Sequence, residues 1–228
     1  MSRAVVLLSG GLDSAVTAYK MKADIGNPRL LYAMSFDYGQ RHIRELKSAF
    51  KIAEYLKIPK TRHPLVRIDF GPLGSTSSLT NPKLVVPSSG PTDNIPTTWV
   101  PQRNSIFLSL AFAYAETVGA EHVYAGMNAI DYSGYPDCRP EYIREMEIAL
   151  NSGSKRSVEE GKYTRIVVPL IKKSKKEIIE LGQVLGVPFA DTWSCYKGGD
   201  KPCSTCDSCR IRKRAFDEVG IKDPGVIG

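Results

Sequence analysis

Long apolar runs are missing from this sequence of 228 residues. No run approaches the roughly 20 consecutive apolar residues that a helix needs to cross a bilayer, which argues against a membrane-spanning protein. Only Met1, Ser2 and Arg3 precede the first apolar run, so we expect no signal peptide and a cytoplasmic location. Internal repeats and low-complexity tracts are also absent from the sequence, which argues against repeat architectures.

The composition is that of an ordinary globular chain with an excess of basic residues. Hydrophobic residues make up 42% and charged residues 24%, and the length suffices for one sizeable α/β domain with an appendage. The net charge of +7 suits a polyanionic partner, either a nucleotide or a nucleic acid. Basic residues concentrate at 172–176 and 210–214, but either run also fits the solvated face of a helix. Charge alone therefore does not choose the partner.

A glycine pair near the N-terminus carries the strongest local signal for a ligand. Residues 9–14 read Ser-Gly-Gly-Leu-Asp-Ser and lie between an apolar run at 4–8 and a segment with helical spacing at 15–21. A strand–loop–helix junction directs loop N–H groups and the positive end of a helix dipole at one spot, which favours an anion. The loop is not a Walker A motif, because the lysine of Gly-x-x-x-x-Gly-Lys-Ser/Thr is missing.

Two interpretations of this loop remain open locally: a tight turn of an α/β protein, and a cradle for the pyrophosphate of ATP. The cradle is favoured because Gly10 and Gly11 let the backbone approach closely and Ser9 and Ser14 add hydroxyl donors. Asp13 would repel a phosphate unless a cation such as Mg²⁺ lies between them.

Strands and helices alternate along the chain. Further strands are predicted at 30–36, within 61–70, at 122–126 and at 166–170, and helices at 44–56, 105–118, 140–150 and 174–186. Ser174 and Glu177 fit a capping box at the start of the last helix. This alternation predicts an α/β fold with a doubly wound, parallel five-stranded sheet. We expect a nucleotide-binding domain over 1–187, with a lid-like loop at 71–104, and a distinct C-terminal region over 188–228.

Four of the five cysteines cluster in this C-terminal region, as Cys195-x7-Cys203-x2-Cys206-x2-Cys209. Four thiolates suit a tetrahedral Zn²⁺ ion, and closure by four cysteines favours a structural site. Two alternatives remain: an iron–sulfur cluster, for which Cys-x2-Cys-x2-Cys is also typical, and catalytic or redox thiols. Cys138, the fifth, is expected to be a small buried residue.

Two segments that follow predicted strands carry groups suited to a substrate. Ligands of open α/β sheets lie at the carboxyl ends of strands, so Tyr38, Gln40 and Arg41 should flank the nucleotide, although Arg41 also fits a solvated helix start. The second segment, 128–140, supplies carboxylates that can accept two N–H bonds from a guanine-like edge and tyrosines that can stack on a ring. Its candidate substrate contacts are Asp131, Tyr135, Asp137 and Arg139. Asp137 has an alternative role as the cap of the following helix.

Five motifs occur in an order that resembles the 7-cyano-7-deazaguanine synthases of queuosine biosynthesis. They lie at 9–14, 37–42, 100–104 and 133–139 and in the four-cysteine segment. The resemblance covers nearly the whole chain, and the ordered set is far more specific than any single motif. Two departures are small: Leu12 replaces a frequent glutamine, and Ser204 and Thr205 occupy a spacing where a glycine is usual.

The resemblance implies ATP with Mg²⁺ as cosubstrate and one structural Zn²⁺ per chain, held by the four clustered cysteines. It implies ATP binding by the first loop and the start of its helix, namely Leu8, Ser9, Gly10, Gly11, Leu12, Asp13, Ser14, Ala15, Val16, Thr17 and Ala18. Arg103 and Lys175 are hypothesised to neutralise phosphate charge. Together with Asp13 they form the predicted catalytic set.

The implied reaction exchanges a poor leaving group for AMP twice. The carboxylate of 7-carboxy-7-deazaguanine attacks the α-phosphate of ATP, and ammonia then displaces AMP from the acyl adenylate to form an amide. A second ATP activates the amide oxygen, and loss of AMP leaves the nitrile. The expected partners are therefore small molecules, namely ATP, the deazaguanine carboxylate and free ammonia, with no stable binding to nucleic acid or membrane. The resemblance also implies a homodimer.

Two other functions fit parts of the sequence. A tRNA sulfur transferase of the same superfamily would use two of the clustered cysteines in catalysis, but the chain has no evident extra RNA-binding domain. A non-enzymatic zinc module would bind nucleic acid through the basic run at 210–214, but it leaves the loop at 9–14 without a purpose.

Overall fold

One sheet of five parallel strands organises the fold. The computed structural model describes residues 2–41, 44–71, 76–88, 95–130 and 135–225. In these residues the strands are β1 (Arg3–Leu7), β2 (Leu31–Asp37), β3 (Leu65–Arg67), β4 (Ala120–Tyr124) and β5 (Arg165–Val167). Their order across the sheet is β3-β2-β1-β4-β5, and every neighbouring pair is parallel. The prediction of a parallel five-stranded sheet is confirmed.

Helices lie on both faces of this sheet. Within the described ranges they are α1 (Leu12–Ile25), α2 (Arg44–Tyr55), α3 (Arg103–Val118), α4 (Pro140–Ser152), α5 (Lys155–Glu160), α6 (Lys175–Leu185) and α7 (Asp207–Val219). Side chains of α1, α2, α6 and α7 share one buried cluster with Ala4 and Val6 of β1, whereas α3 and α4 share another with Val5. Successive residues of a strand point to opposite faces, so β1 is buried on both sides and the fold is doubly wound.

The predicted elements agree with the described structure to within a few residues, with two exceptions. The third strand, predicted within 61–70, is confirmed as Leu65–Arg67, which begins after Pro64 because proline has no N–H to donate to a sheet. Helices α5 and α7 were not predicted. The capping box is confirmed: the Ser174 hydroxyl accepts from the Glu177 N–H at 3.3 Å, and Glu177 accepts from the Ser174 N–H at 2.7 Å.

The segment predicted to be lid-like, 71–104, overlaps the first two residues of α3 and contains no other α-helix or strand in its described parts, 71, 76–88 and 95–104. It is nevertheless tied to the rest of the protein. Arg41 Nη2 donates to the carbonyls of Asn81 at 2.5 Å and Leu84 at 2.6 Å. At the other end of the segment, the Thr98 hydroxyl lies 2.7 Å from the Tyr135 hydroxyl. A role as a lid stays a prediction.

The C-terminal region packs onto the sheet domain through α7. Phe216 of α7 is buried in one apolar cluster with residues of α1 and α6, and it meets Phe189 edge-on, with the ring centroids 5.4 Å apart. Arg212 forms a two-pronged ion pair with Asp223, with Nε–Oδ2 at 2.6 Å and Nη2–Oδ1 at 2.8 Å. Both side chains are buried, so the pair fastens the segment after α7 to that helix. The domain boundary at residue 187 stays a prediction. Across the described residues, no helix combines the length and the apolar character needed to cross a membrane.

Candidate functional site

A cavity lies at the carboxyl ends of β1, β2 and β4, the edge at which ligands bind in open α/β sheets. Its lining comes from the loop after β1, the segments after β2 and β4, the start of α3, the start of α6 and the C-terminal region. The three residues predicted to be catalytic, Asp13, Arg103 and Lys175, all belong to this lining. The fold therefore brings together groups that are up to 162 positions apart in the sequence.

Gly10 determines the shape of the loop after β1. Its φ of +91° lies in the region that favours glycine. A Cβ at this position would lie 2.1 Å from the carbonyl oxygen of Glu45 and 2.5 Å from the amide nitrogen of Ala49, both in α2. The sequence did not predict this close contact between Gly10 and α2. Because of the contact, only glycine fits at position 10.

Two serine hydroxyls occupy the inside of this loop. Ser14 Oγ accepts from the Gly10 N–H at 3.1 Å, and Ser9 Oγ accepts from the Gly11 N–H at 3.2 Å. The two hydroxyls lie 3.1 Å apart. These N–H groups and the start of α1 favour a negative charge, and the oxygens of an anion could replace the hydroxyls as acceptors. The geometry fits the predicted phosphate cradle.

The residues predicted to bind ATP fall into two groups. Those that line the cavity are Leu8, Ser9, Gly11, Leu12, Asp13 and Ser14. Those outside its described lining are Gly10, Ala15, Val16, Thr17 and Ala18. The last four are buried within α1, and the Ala15 N–H already donates to the Gly11 carbonyl at 3.0 Å. Direct contacts from residues 15–18 to ATP stay a prediction.

Lys175 pairs with Asp13 beside the loop. Its Nζ lies 2.8 Å from both carboxylate oxygens of Asp13. Lys175 is buried at the start of α6, whereas the Asp13 side chain keeps 21% of its surface exposed. The Lys175 ammonium therefore lies against this carboxylate, whereas a cation such as Mg²⁺ between Asp13 and a phosphate stays a prediction.

Arg103 is the first residue of α3 and faces an aromatic neighbour. Its guanidinium carbon lies 5.9 Å from the centre of the Tyr38 ring, and Nη1 donates to the Tyr38 hydroxyl at 3.4 Å. Burial by itself would lower the pKa of Arg103, but the surrounding acidic groups, namely those of Tyr38, Tyr135, Asp137 and Cys138, together outweigh burial and raise the pKa. Burial raises the pKa of Tyr38, although Arg103 opposes this rise. Arg103 thus stays charged and suits a carboxylate or a phosphate.

Gln40 and Arg41, predicted with Tyr38 to contact the ligand, have different surroundings. Gln40 lines the cavity, but its Oε1 accepts from the Tyr38 N–H at 2.7 Å and its Nε2 donates to the Phe36 carbonyl at 3.1 Å. It therefore braces the turn after β2. Arg41 lies outside the described lining, because its guanidinium binds the two loop carbonyls described above. A contact between Arg41 and the substrate stays a prediction.

The predicted substrate contacts in the segment before α4 also differ in whether they line the cavity. Tyr135 is buried and lines the cavity. Asp137 is buried as well, but its Oδ2 accepts from the Asn104 N–H at 3.3 Å, in the first turn of α3. Asp137 therefore caps α3, and not the following helix as the alternative proposed. Arg139 is exposed and outside the described lining, and Asp131 lies outside the described residues.

Cys138 is buried, as predicted, and lines the cavity. Burial raises the pKa of its thiol to about 12. The Asn104 amide donates to its sulfur at 3.5 Å. A thiol that stays protonated is a poor nucleophile, so this cysteine forms part of the wall and is not suited to covalent chemistry.

The C-terminal region contributes a wall of the cavity that was not predicted. The lining residues from this region are Trp193, Ser194, Tyr196, Ser208, Ile211 and Arg212. Trp193 and Tyr196 lie close to Cys195 on either side of it in the sequence. Large aromatic residues beside a cysteine with metal-ligand spacing are a sequence signal that could have indicated that this region faces a ligand.

The thiols of the four clustered cysteines converge. They are free thiols, and their sulfur atoms all lie within 4.8 Å of one another. A tetrahedral metal with metal–sulfur distances of about 2.3 Å requires sulfurs roughly 3.8 Å apart, and those of Cys203 and Cys209 are 4.0 Å apart. The Cys203 and Cys206 N–H groups donate to the sulfurs of Cys195 and Cys203 at 3.4 and 3.3 Å. The cluster therefore fits a metal ion, with backbone N–H groups that stabilise thiolates.

Replacing Ser204 with glycine should stabilise the protein by about 0.5–1 kcal/mol. Ser204 has a φ of +56°, where a Cβ is strained, and its exposed side chain contributes little packing. Urea denaturation of the metal-loaded protein measures the change. Ser152→Gly is the control, because Ser152 is an exposed residue in α4 without positive φ and its replacement should be destabilising. An equal loss of unfolding free energy in Ser204→Gly and Ser152→Gly would contradict the prediction.

Comparison with known proteins assigns the chain to a family. The family described as "Queuosine biosynthesis protein QueC" matches residues 3–220. The chain belongs to this family. A relative from Trichodesmium erythraeum (strain IMS101), named 7-cyano-7-deazaguanine synthase, is 51% identical over 226 residues, which cover 97% of this chain and 99% of the relative. A relative of the same name from Thermoplasma acidophilum is 48% identical over 226 residues, which cover 97% and 90%.

Membership of the QueC family confirms the resemblance seen in the sequence motifs. The matched residues include the loop after β1, the Lys175–Asp13 pair, Arg103 and all four clustered cysteines. This QueC protein is therefore an enzyme of queuosine biosynthesis.

Proposed function

We propose that this enzyme converts 7-carboxy-7-deazaguanine to 7-cyano-7-deazaguanine with ammonia and two molecules of ATP. The substrate carboxylate attacks the α-phosphate of ATP, pyrophosphate leaves, and an acyl adenylate forms. Ammonia attacks the carbonyl carbon, AMP leaves, and loss of a proton gives the amide. The amide oxygen attacks the α-phosphate of a second ATP, and a second pyrophosphate leaves. Elimination of AMP from the adenylated amide, with loss of the two N–H protons, then gives the nitrile.

One observation carries this proposal: a single cavity contains both the phosphate-type loop and an arginine that stays charged. The Lys175–Asp13 pair belongs to the loop side, and Arg103 with Tyr135 belongs to the side formed by α3 and the segment before α4. Adenylation requires a carboxylate to reach the α-phosphate in the correct orientation. Cations from two separate elements in one cavity can hold both negatively charged reactants.

The loop and Lys175 are the proposed phosphate contacts. Phosphate oxygens would replace the hydroxyls of Ser9 and Ser14 as acceptors for the Gly10 and Gly11 N–H groups. The Lys175 ammonium would then stabilise the charge that builds on the departing pyrophosphate. Asp13, which keeps part of its surface open, can offer an oxygen to the magnesium that accompanies ATP.

Arg103 is the proposed partner of the substrate carboxylate. Without a cation, that carboxylate and the triphosphate would repel each other. Arg103 offers a planar guanidinium whose Nε is buried and makes no hydrogen bond within the described residues. The backbone N–H of its neighbour Tyr38 donates to Gln40, and the Tyr38 ring lies beside the guanidinium.

Replacing Arg103 with lysine should raise the KM for the deazaguanine carboxylate by roughly 10- to 100-fold, the range expected when a hydrogen bond to a charged group is lost. Lysine keeps the charge but cannot form two parallel hydrogen bonds to a carboxylate. Steady-state kinetics at saturating ATP and ammonium measure the effect. Arg139→Lys is the matched control, since Arg139 is exposed and outside the described lining. An unchanged KM in Arg103→Lys would remove Arg103 from the carboxylate site.

We assign Zn²⁺ with a structural role to the cysteine cluster. None of these four cysteines belongs to the described lining of the cavity, so the metal would be separate from the substrate. When bound, zinc would hold the thiolates of Cys195, Cys203, Cys206 and Cys209 together. Elemental analysis should find one zinc per chain. A brown protein with broad visible absorbance would indicate an iron–sulfur cluster instead.

The structure gives little support to the two alternative functions. A sulfur transferase needs reactive cysteines at its substrate, but the described cavity contains Cys138, a protonated thiol, and none of the clustered four. In the basic run at 210–214, Arg212 is buried on Asp223, and Lys213 and Arg214 pair with acidic residues of α7. The run is thus largely neutralised, which disfavours a nucleic-acid surface.

A homodimer in the cytoplasm is also part of the proposal. Its support is the family resemblance and the presence of exposed apolar side chains, Ile148, Val158 and Tyr163 among them. Light scattering after size-exclusion chromatography should give twice the chain mass. The mass of a single chain at micromolar concentration would contradict the dimer.

Product analysis tests the proposed reaction directly. The protein is incubated with 7-carboxy-7-deazaguanine, ATP, Mg²⁺ and ammonium, and the mixture is analysed by mass spectrometry. We expect the nitrile, and AMP rather than ADP. With ¹⁵N-ammonium, the nitrile should carry the label. ADP as the only nucleotide product, or AMP without any amide or nitrile, would contradict the proposal.

A further inference from the structure

We propose that Trp193 couples the cysteine cluster to the loop after β1, so that metal binding and ATP binding strengthen each other. The inference rests on the proposed binding of ATP and of a metal. Trp193 is buried, belongs to the cavity wall and lies two residues before Cys195 in the sequence. It is therefore placed between the two sites.

The backbone of Trp193 holds the loop. Its N–H donates to the Gly10 carbonyl at 3.0 Å. On its other side Gly10 meets α2 so closely that a Cβ would overlap the Glu45 carbonyl. The loop is thus clamped between α2 and the Trp193 backbone, and a shift of Trp193 would release one side of the clamp.

The indole of Trp193 holds the cysteine cluster. Its Nε1–H donates to the Cys195 carbonyl at 2.9 Å. Arg44, the first residue of α2, covers the ring with its guanidinium carbon 4.7 Å from the ring centre. The same guanidinium also donates to the carbonyl of Asp200, in the segment that joins Cys195 to Cys203. Trp193 and Arg44 together connect the cluster to both sides of the clamp.

A metal that draws the four thiolates together would determine where the Cys195 backbone lies. Through the indole bond, it would also determine where Trp193 presents its N–H to Gly10. Without the metal, the Cys195 segment is free to move and the loop loses an anchor. Linkage requires the effect to be reciprocal, so ATP must tighten metal binding by the same factor by which the metal tightens ATP binding.

The test compares the release of zinc to a colorimetric chelator with and without a magnesium-loaded, non-hydrolysable ATP analogue. In the wild-type protein the analogue should slow release by about fivefold or more, the lower end of typical coupling between sites. Trp193→Phe keeps the ring and the backbone N–H but lacks the indole N–H, and here we expect less than about twofold slowing. Trp99→Phe is the matched control, because Trp99 lies outside the described lining and its indole N–H makes no hydrogen bond within the described residues.

Arg44→Ala provides a second variant, which decides the matter if Trp193→Phe does not fold. The Arg44 side chain is 46% exposed, so its removal should not unfold the protein, and we expect weaker coupling than in the wild type. Equal slowing in the wild type and in the variants of both positions would overturn the proposal. Equilibrium dialysis of the analogue separates the two possible failures. Binding with no effect on zinc release overturns the coupling alone, whereas absence of binding overturns the proposed ATP site as well.

Discussion

Replacing Lys175 with methionine should lower kcat/KM for ATP by roughly 10²- to 10³-fold, the range seen when one electrostatic contact to a transition state is removed. Methionine has a similar length but no charge. The variant would leave the Asp13 carboxylate, now without its partner at 2.8 Å, facing the proposed triphosphate site. Loss of an attractive charge and the appearance of a repulsive one act in the same direction. Pyrophosphate release under steady-state conditions measures the effect.

Lys176→Met is the matched control for this prediction. Lys176 is the next residue of α6, but its side chain is 47% exposed and its Nζ lies 3.8 Å from Glu180 on the same helix. Exposed pairs of this kind contribute little to stability, so the control should retain wild-type kinetics and a similar melting temperature. If both variants were equally active, Lys175 would have no catalytic role and would serve only as a partner for Asp13.

Replacing Gly10 with alanine should destabilise the protein by more than about 4 kcal/mol, the level reached only by severe steric or burial defects. The new Cβ would lie 2.1 Å from a backbone oxygen of α2 and 2.5 Å from a backbone nitrogen. Backbone atoms of a packed helix cannot turn aside as a flexible side chain can, so α2 or the loop must shift. We therefore expect loss of ATP binding in any fraction that still folds. Denaturant unfolding and dialysis with the ATP analogue measure the two effects.

Gly26→Ala isolates the backbone contribution to this effect. Gly26 ends α1 with a φ of +72°, but a Cβ there would have no neighbouring atom within 4 Å. Its replacement should be destabilising by about 1–2 kcal/mol through backbone strain alone. Similar losses for Gly10→Ala and Gly26→Ala would show that the contact with α2 is not as close as described.

The sequence by itself determined the parts of the protein that depend on short stretches of chain. The alternation of strands and helices, the glycine loop after β1 and the capping box at Ser174 were all predicted and are all present. The four cysteines were predicted to form one site, and their sulfurs do converge. Each single element or motif among these depends on about 15 neighbouring residues or fewer. Over so short a stretch, the spacing of apolar residues and of metal ligands directly limits the structure.

Other predictions could not specify a partner. Asp137 was expected to hold the substrate or, as the alternative, to cap the next helix. It caps α3 through the Asn104 N–H, 33 positions earlier, and its contact with the substrate stays a prediction. Arg41 was expected to flank the nucleotide or to lie at a solvated helix start. It binds loop carbonyls 40 and 43 positions later, and its contact with the substrate stays a prediction. A short pattern indicates that a polar side chain needs a partner, whereas the packing of distant elements decides which partner is within reach.

The largest difference between the sequence-based predictions and the structure concerns the C-terminal region. Its composition suggested a separate metal-binding appendage, and the sequence assigned no role to Trp193. The structure packs α7 against α6 and makes the same region a wall of the cavity, with the Trp193 N–H on Gly10. Local spacing thus determined that a phosphate-type loop and a metal-type cluster exist. Only the tertiary structure decided that Trp193, two residues before the cluster, contacts the loop, because this hydrogen bond joins residues 183 positions apart (193 − 10) and depends on how distant elements pack on the sheet.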